Sequence, residues 1–202
     1  MSSAAALGFA PHSGWSVLVA LGLDRSDARP RLLARERIEL SGPEDPASKQ
    51  PYHAVENLPV EEAARKLASL RADAERRAYD ALVRVLATLA EGERRMVGVG
   101  ILDSAGRRGA SLEATLASHA LIHTADGDHF RNAIAAAAER SGFRVMRVRA
   151  REVEEQASAA IGQLPEALRE TLQALRREAG PPWAADQKAA ALLAWLVLRT
   201  AP

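Results

Sequence analysis

The chain has 202 residues, 48% of them hydrophobic and only 4% aromatic, with Lys+Arg 27 against Asp+Glu 26 and no cysteine. That length suits one domain with a sizeable core, while the near-neutral charge leaves recognition of any polyanion to local clusters. Disulfides, thiolate metal sites and a thiol nucleophile are excluded, so a metal would be held by His and carboxylate, and few aromatic platforms exist for base stacking.

In chain order, MSSAAALGFAPHSG shows neither a basic leader nor a long apolar core, and the late segment AALLAWLVL is shorter than a bilayer span. A soluble, cytoplasmic protein with no membrane partner is expected. Ala4 to Ala10 and Trp15 to Leu23 read as adjacent strands joined by the turn formers Pro11-His12-Ser13-Gly14. A turn is expected over 24–28, and the imperfect alternation of RLLARERIEL predicts a third antiparallel strand toward a sheet edge. The stretch 41–59 carries four prolines and reads as a loop, with Tyr52-His53 as either an exposed turn or a lip over a cleft.

From Val60 the apolar residues recur at helical spacing: Ala63, Leu67, Leu70, Ala74, Ala78, Ala81, Val85 and Leu89. Gly92 is placed to end that helix. MVGVGIL lacks alternation and reads as a central strand covered on both faces; its glycines are a packing feature or admit a ligand. A helix carried by Leu112, Leu116, Ala120 and Leu121 is expected to break at Gly127, resume from His129 to Arg140 and stop at Gly142. FRVMRV returns as a strand parallel to MVGVGIL, because a helical crossover separates them. Residues 152–182 form a helical insertion interrupted near Gly162, and Gly180-Pro181-Pro182 precedes a final apolar helix.

Three of the five histidines, His119, His123 and His129, gather with Asp126 and Asp128 between the two parallel strands. His119 and His123 stand four residues apart and share a helix face, so with Asp126, Asp128 or His129 they could hold one divalent ion. The alternative is that these histidines cap helix ends and pack partly buried. Gly127 to Phe130, as a helix start, would suit a phosphate. Arg107, Arg108, Arg147 and Arg149 either line a nucleic-acid groove or form an ion-paired edge with the acids that follow. Trp195 is a core residue or the anchor of a homodimer contact.

The order of elements, three antiparallel strands, long helix, strand, helical crossover and parallel strand, resembles the ribonuclease H-like superfamily. GFAPHSG is similar to the GIDPGS-type first strand and turn of its Holliday-junction-resolvase branch, and PPWAADQKAAALLAWLVL resembles that branch's last helix. The resemblance implies a single α/β domain over 1–202, a mixed five-stranded sheet with helices on both faces. It also implies two divalent metals, Mg or Mn before Zn, held by acids on the first strand, the fourth strand and the last helix. Asp103 and Asp186 match two of those positions. Ala10 stands at the third and cannot bind a metal. The expected site is therefore a degenerate cleft of His12, Asp103, the His119/His123 face and Asp186, binding nucleic acid or a phosphorylated small molecule; metal-dependent phosphodiester hydrolysis stays open there, with Asp103 and Asp186 holding the metal and His119 or His123 serving as ligand or proton carrier. A non-catalytic oligomeric scaffold is the alternative.

Overall fold

The computed structural model of the protein describes residues 3–23 and 29–201; the turn expected at 24–28 lies outside them. Strand β1 (Ala4–His12) pairs antiparallel with β2 (Trp15–Leu23), joined by Ser13 and Gly14 alone. Gly14 takes φ +82°, a conformation a Cβ would strain. Its carbonyl accepts from the backbone N–H groups of Leu40 and Ser41 at 2.8 and 3.1 Å, tying the turn to the chain leaving β3 (Arg31–Glu39). β3 pairs antiparallel with β2 and forms one edge, which accounts for its mixed polarity.

Helix α1 (Val60–Glu91) buries Ala63, Leu67, Ala74, Ala78, Ala81, Val85 and Leu89 along one stripe, as their spacing predicts. β4 (Arg95–Asp103) then enters parallel to β1, and β5 (Val145–Arg149) lies parallel to β4. The sheet order is β3-β2-β1-β4-β5. Helices α2 (Leu112–Leu116) and α3 (His119–Arg140) make the crossover.

The break expected at Gly127 does not occur. α3 runs through it, and the interruption falls at Ala117 and Ser118, where Ser118 turns extended at φ −138°. One helical glycine costs about 1 kcal/mol, which the burial of Ile122, Phe130, Ile134 and their neighbours along α3 outweighs. With no helix start at 127–130, the anion site expected there loses its basis.

On the opposite face lie α4 (Val153–Ile161), α5 (Pro165–Ala179) and α6 (Ala185–Thr200). α6 is buried continuously from Ala190 to Leu198 because β1, β2 and β4 cover one side and α4 the other. The glycines of the strands make that approach close: a Cβ at Gly100 would lie 3.0 Å from the Leu193 side chain, and one at Gly98 3.1 Å from Val197. These glycines serve packing rather than a ligand. Each face has its own core, Leu7, Phe9, Val99, Ile101 and Phe130 with α1 and α3, and Ala6, Ala10, Val17, Leu193 and Trp195 with α6. Trp195 has no exposed surface. Of its two readings the core one holds, and it is no dimer anchor, since its ring is enclosed within the chain's own α6-side core. Among the described residues no helix is long and apolar enough to cross a membrane.

Candidate functional site

The C-terminal ends of β1, β4 and β5 define one edge of the sheet, and alternation along each strand sends neighbouring residues to opposite faces. Ala10 packs in the α6-side core and Phe9 in the α3-side core. On β4, Leu102 joins the α6-side core and Ile101 the α3-side core. His12 therefore shares the α6 face with Ala10, while Asp103 shares the α3 face with Ile101. The residues expected to form one cleft are split by the sheet itself.

On the α6 face, His12 Nε2 lies 3.0 Å from Asp186 Oδ2, both side chains being partly exposed. Asp186 occupies the first turn of α6, where the helix dipole favours an acid, and Gln187 steadies that turn by accepting the Ala184 N–H at 2.8 Å. Arg35 of β3 fixes the preceding loop by donating to the carbonyl oxygens of Gly180, Pro182 and Pro181 at 2.9, 2.5 and 3.3 Å. The His12 ring stacks on Trp15 at 4.2 Å, and the Arg37 guanidinium lies 3.9 Å from the Trp15 ring centroid. The β1 and β4 side chains beside this pair on the same face are Ala10 and Leu102.

On the α3 face, Asp103 and Asp128 share a set of arginines. Asp128 accepts from Arg108 Nε at 2.7 Å and from the Ser104 hydroxyl at 3.0 Å, with Arg131 Nη1 at 3.7 Å. Asp103 lies 3.4 Å from Arg108 and 3.9 Å from Arg147, which also donates to Asn132 at 2.9 Å. The charge-assisted bond to Asp128 raises the Arg108 pKa, and burial lowers that of Arg131, opposed by Asp128. Arg149 pairs with Glu152 at 3.6 Å. Arg107 is exposed in the turn after β4.

At the start of α3, His119 and His123 meet across one turn, Nε2 to Nε2 at 3.0 Å. The third member is His53, from the 3-10 turn His53–Val55 in the proline-rich loop; its ring lies 4.5 Å from that of His123 and 5.3 Å from that of His119. Asp126 does not join them directly. Its buried carboxylate meets His53 Nδ1 at 2.5 Å and accepts the Tyr52 N–H at 2.7 Å. The sequence singles out Tyr52-His53 as an exposed turn or a lip over a cleft but not its partners, because nothing in local spacing reports a contact with a residue 73 positions away.

Asp128 and His129 stand apart from the histidine trio. His129 is buried against Phe130, with its Nε2 lacking a partner. Burial, with the Arg71 charge adding to it, pushes its pKa down to about 4, against a hydrogen bond to the Leu70 backbone. Both residues line an open cavity of about 380 Å³ between α1, α2 and α3, together with Arg71, Arg108, Thr115 and Asn132. The metal set expected from α3 alone is thus divided among three environments, and only His119 and His123 of that set come together.

The fold is ribonuclease H-like. The Thermus thermophilus RuvC structure matches at TM-score 0.53 and 14% identity, over 95% of this chain and 92% of that one. T. thermophilus RuvC in complex with a Holliday junction substrate matches at TM-score 0.52 and 14% identity, over 96% of this chain and 91% of that one. No protein-family model matches the sequence. No curated protein matches it either.

Proposed function

We propose that this chain binds duplex or branched nucleic acid along the C-terminal edge of its sheet and does not cut it by two-metal chemistry. The single observation that carries the second half is the make-up of the α6 face, where Asp186 is engaged by His12 at 3.0 Å and its strand neighbours are Ala10 and Leu102. In-line hydrolysis with two metals needs several carboxylates to hold both ions against the attacking and leaving oxygens. One acid already paired with a histidine offers too few oxygen ligands for that. The binding half is supported by the likeness, over nearly the whole chain, to a structure holding a Holliday junction.

The same edge offers phosphate-binding groups. Arg37 and His12 stand at partly exposed positions on the α6 side, and Arg107, Arg108 and Arg149 rim the other. Arginine forks suit phosphate oxygens, and such contacts fix position without reading sequence.

Fluorescence anisotropy with a four-way DNA junction, a linear duplex and a single strand tests the reading. Junction and duplex should bind at about 50 mM salt and weaken sharply by about 200 mM, through counterion release. Arg107→Glu and Arg149→Glu should each weaken binding and lower the salt slope by about 1. Failure to bind any of the three at low salt removes the proposal. Cleavage of the junction in Mg²⁺ or Mn²⁺ that is lost in Asp186→Asn would overturn the non-cutting half alone.

A further inference from the structure

We infer that His53, His119 and His123 form a three-nitrogen site for a borderline divalent cation of the zinc class, with Asp126 as the group that orients His53. Each histidine can offer one ring nitrogen, and these atoms all lie within 4.8 Å of one another. Three imidazoles at about 2.0–2.1 Å from a tetrahedral zinc would have their nitrogens roughly 3.3 Å apart. The His119–His123 separation of 3.0 Å is already close to that, and His53 approaches from the turn His53–Val55 of the proline-rich loop.

The hydrogen-bond geometry leaves ring nitrogens of all three histidines able to turn to one ion. Asp126 holds His53 Nδ1 at 2.5 Å, which leaves Nε2 as the nitrogen the ring can offer to an ion. A carboxylate behind a ligating histidine fixes its tautomer and raises its basicity. Asp126 is itself held, being buried and accepting the Tyr52 N–H at 2.7 Å. At His119 and His123, two Nε2 atoms face each other at 3.0 Å. Without a cation one ring must donate to the other; with one, both direct lone pairs at the ion.

The composition of the site selects its ion. Three imidazole nitrogens suit zinc and its neighbours, whereas Mg²⁺ requires oxygen ligands in octahedral array. Three protein ligands leave the fourth tetrahedral position open, as in sites where zinc binds water or an exchangeable anion. Here that position borders solvent, since His119 and His123 are exposed. A bound ion would also pin the loop 41–59 to α3, joining two segments that are otherwise far apart in sequence. None of this depends on nucleic-acid binding, and the α6-side residues take no part in it.

The test uses tag-free, chelator-treated full-length protein titrated with Zn²⁺, Co²⁺ and Mg²⁺ by calorimetry, with Co²⁺ absorption as a second readout. One Zn²⁺ should bind per chain, Co²⁺ should show the intense visible bands of a four-coordinate ion, and Mg²⁺ should give no heat. Zn²⁺ at a hundredfold excess over its Kd should raise Tm by roughly 5–10 °C. His119→Gln and His123→Gln, at exposed positions where folding tolerates change, should each weaken Zn²⁺ binding at least about a hundredfold. Asp126→Asn should weaken it about 10- to 100-fold, while Asp186→Asn should leave it unchanged. Absence of Zn²⁺ binding, or binding that survives both histidine substitutions, would overturn the site. Should Asp126→Asn unfold the chain, the two exposed histidine variants still decide.

Discussion

Gly8 lies directly beneath Ala190: a Cβ added to Gly8 would stand 1.9 Å from the Ala190 carbonyl oxygen and 2.9 Å from the Ala194 backbone nitrogen. α6 therefore rides on the backbone of β1, and that contact sets the height at which Asp186 reaches His12. Backbone atoms inside a helix cannot give way as a flexible side chain can. Gly8→Ala should destabilise the fold by about 3 kcal/mol or more, measured by urea unfolding. Gly92→Ala is the control, since its nearest contact would be an ordinary 3.5 Å, and it should change stability by less than about 0.5 kcal/mol.

Trp195 carries the second prediction. Its ring is fully buried in the α6-side core, on the side of α6 turned away from the strand glycines that meet Ala190, Leu193, Ala194 and Val197. Trp195→Ala should cost about 3–5 kcal/mol through lost burial and an unfilled cavity. Trp195→Glu would place a charge there without a partner and should unfold the chain rather than split an oligomer. Circular dichroism beside light scattering separates the two outcomes; a folded monomer from Trp195→Glu, arising from a wild-type dimer, would contradict the packing.

Periodicity made most of the fold legible. The stripe of α1, the continuous apolar runs of β1, β2 and β4, and the parallel return of β5 all follow from residue spacing and burial on one or two faces. Gly127 misled because a glycine's local cost is smaller than the burial gained by keeping α3 continuous. The sites were less legible. Asp103 and His12 fall on opposite faces through the alternation of two strands whose mutual register the sequence does not state. His53 reaches α3 only because the loop folds over it, and loop paths are fixed by contacts such as Tyr52 N–H to Asp126 rather than by local pattern.

Asp128 neutralises the arginines packed around the end of β4. Arg131 is largely buried, donates to the Leu102 carbonyl at 3.0 Å and has Asp128 Oδ1 at 3.7 Å. Asp128→Asn would leave that guanidinium poorly compensated and should cost about 2–3 kcal/mol. This is less than the about 3–5 kcal/mol of a fully buried pair, because Arg108 is more than half exposed and solvent screens its share. Asp103→Asn should cost under about 1 kcal/mol, its arginine contacts being longer at 3.4 and 3.9 Å. Equal losses in the two variants, measured by chemical denaturation, would contradict this ranking.

His129 should make the protein acid-sensitive. Its folded-state pKa is pushed from 6.5 down to about 4, first by burial and then by the Arg71 charge. The unfolded chain therefore takes up a proton below about pH 6.5 that the folded chain refuses until about pH 4. Stability from this residue is complete above pH 6.5 and is lost as pH falls through that window. The interval from 6.5 to about 4, at about 1.36 kcal/mol per pH unit, amounts to about 3 kcal/mol. His129→Leu removes the titration, and its lost bond to the Leu70 backbone is a cost that does not vary with pH. Between pH 7 and pH 4 the wild-type protein should lose about 3 kcal/mol more than His129→Leu in matched urea titrations. Parallel stability curves would mean that His129 charges within the folded protein, its Nε2, which has no protein partner, being reached by solvent from the cavity the residue lines.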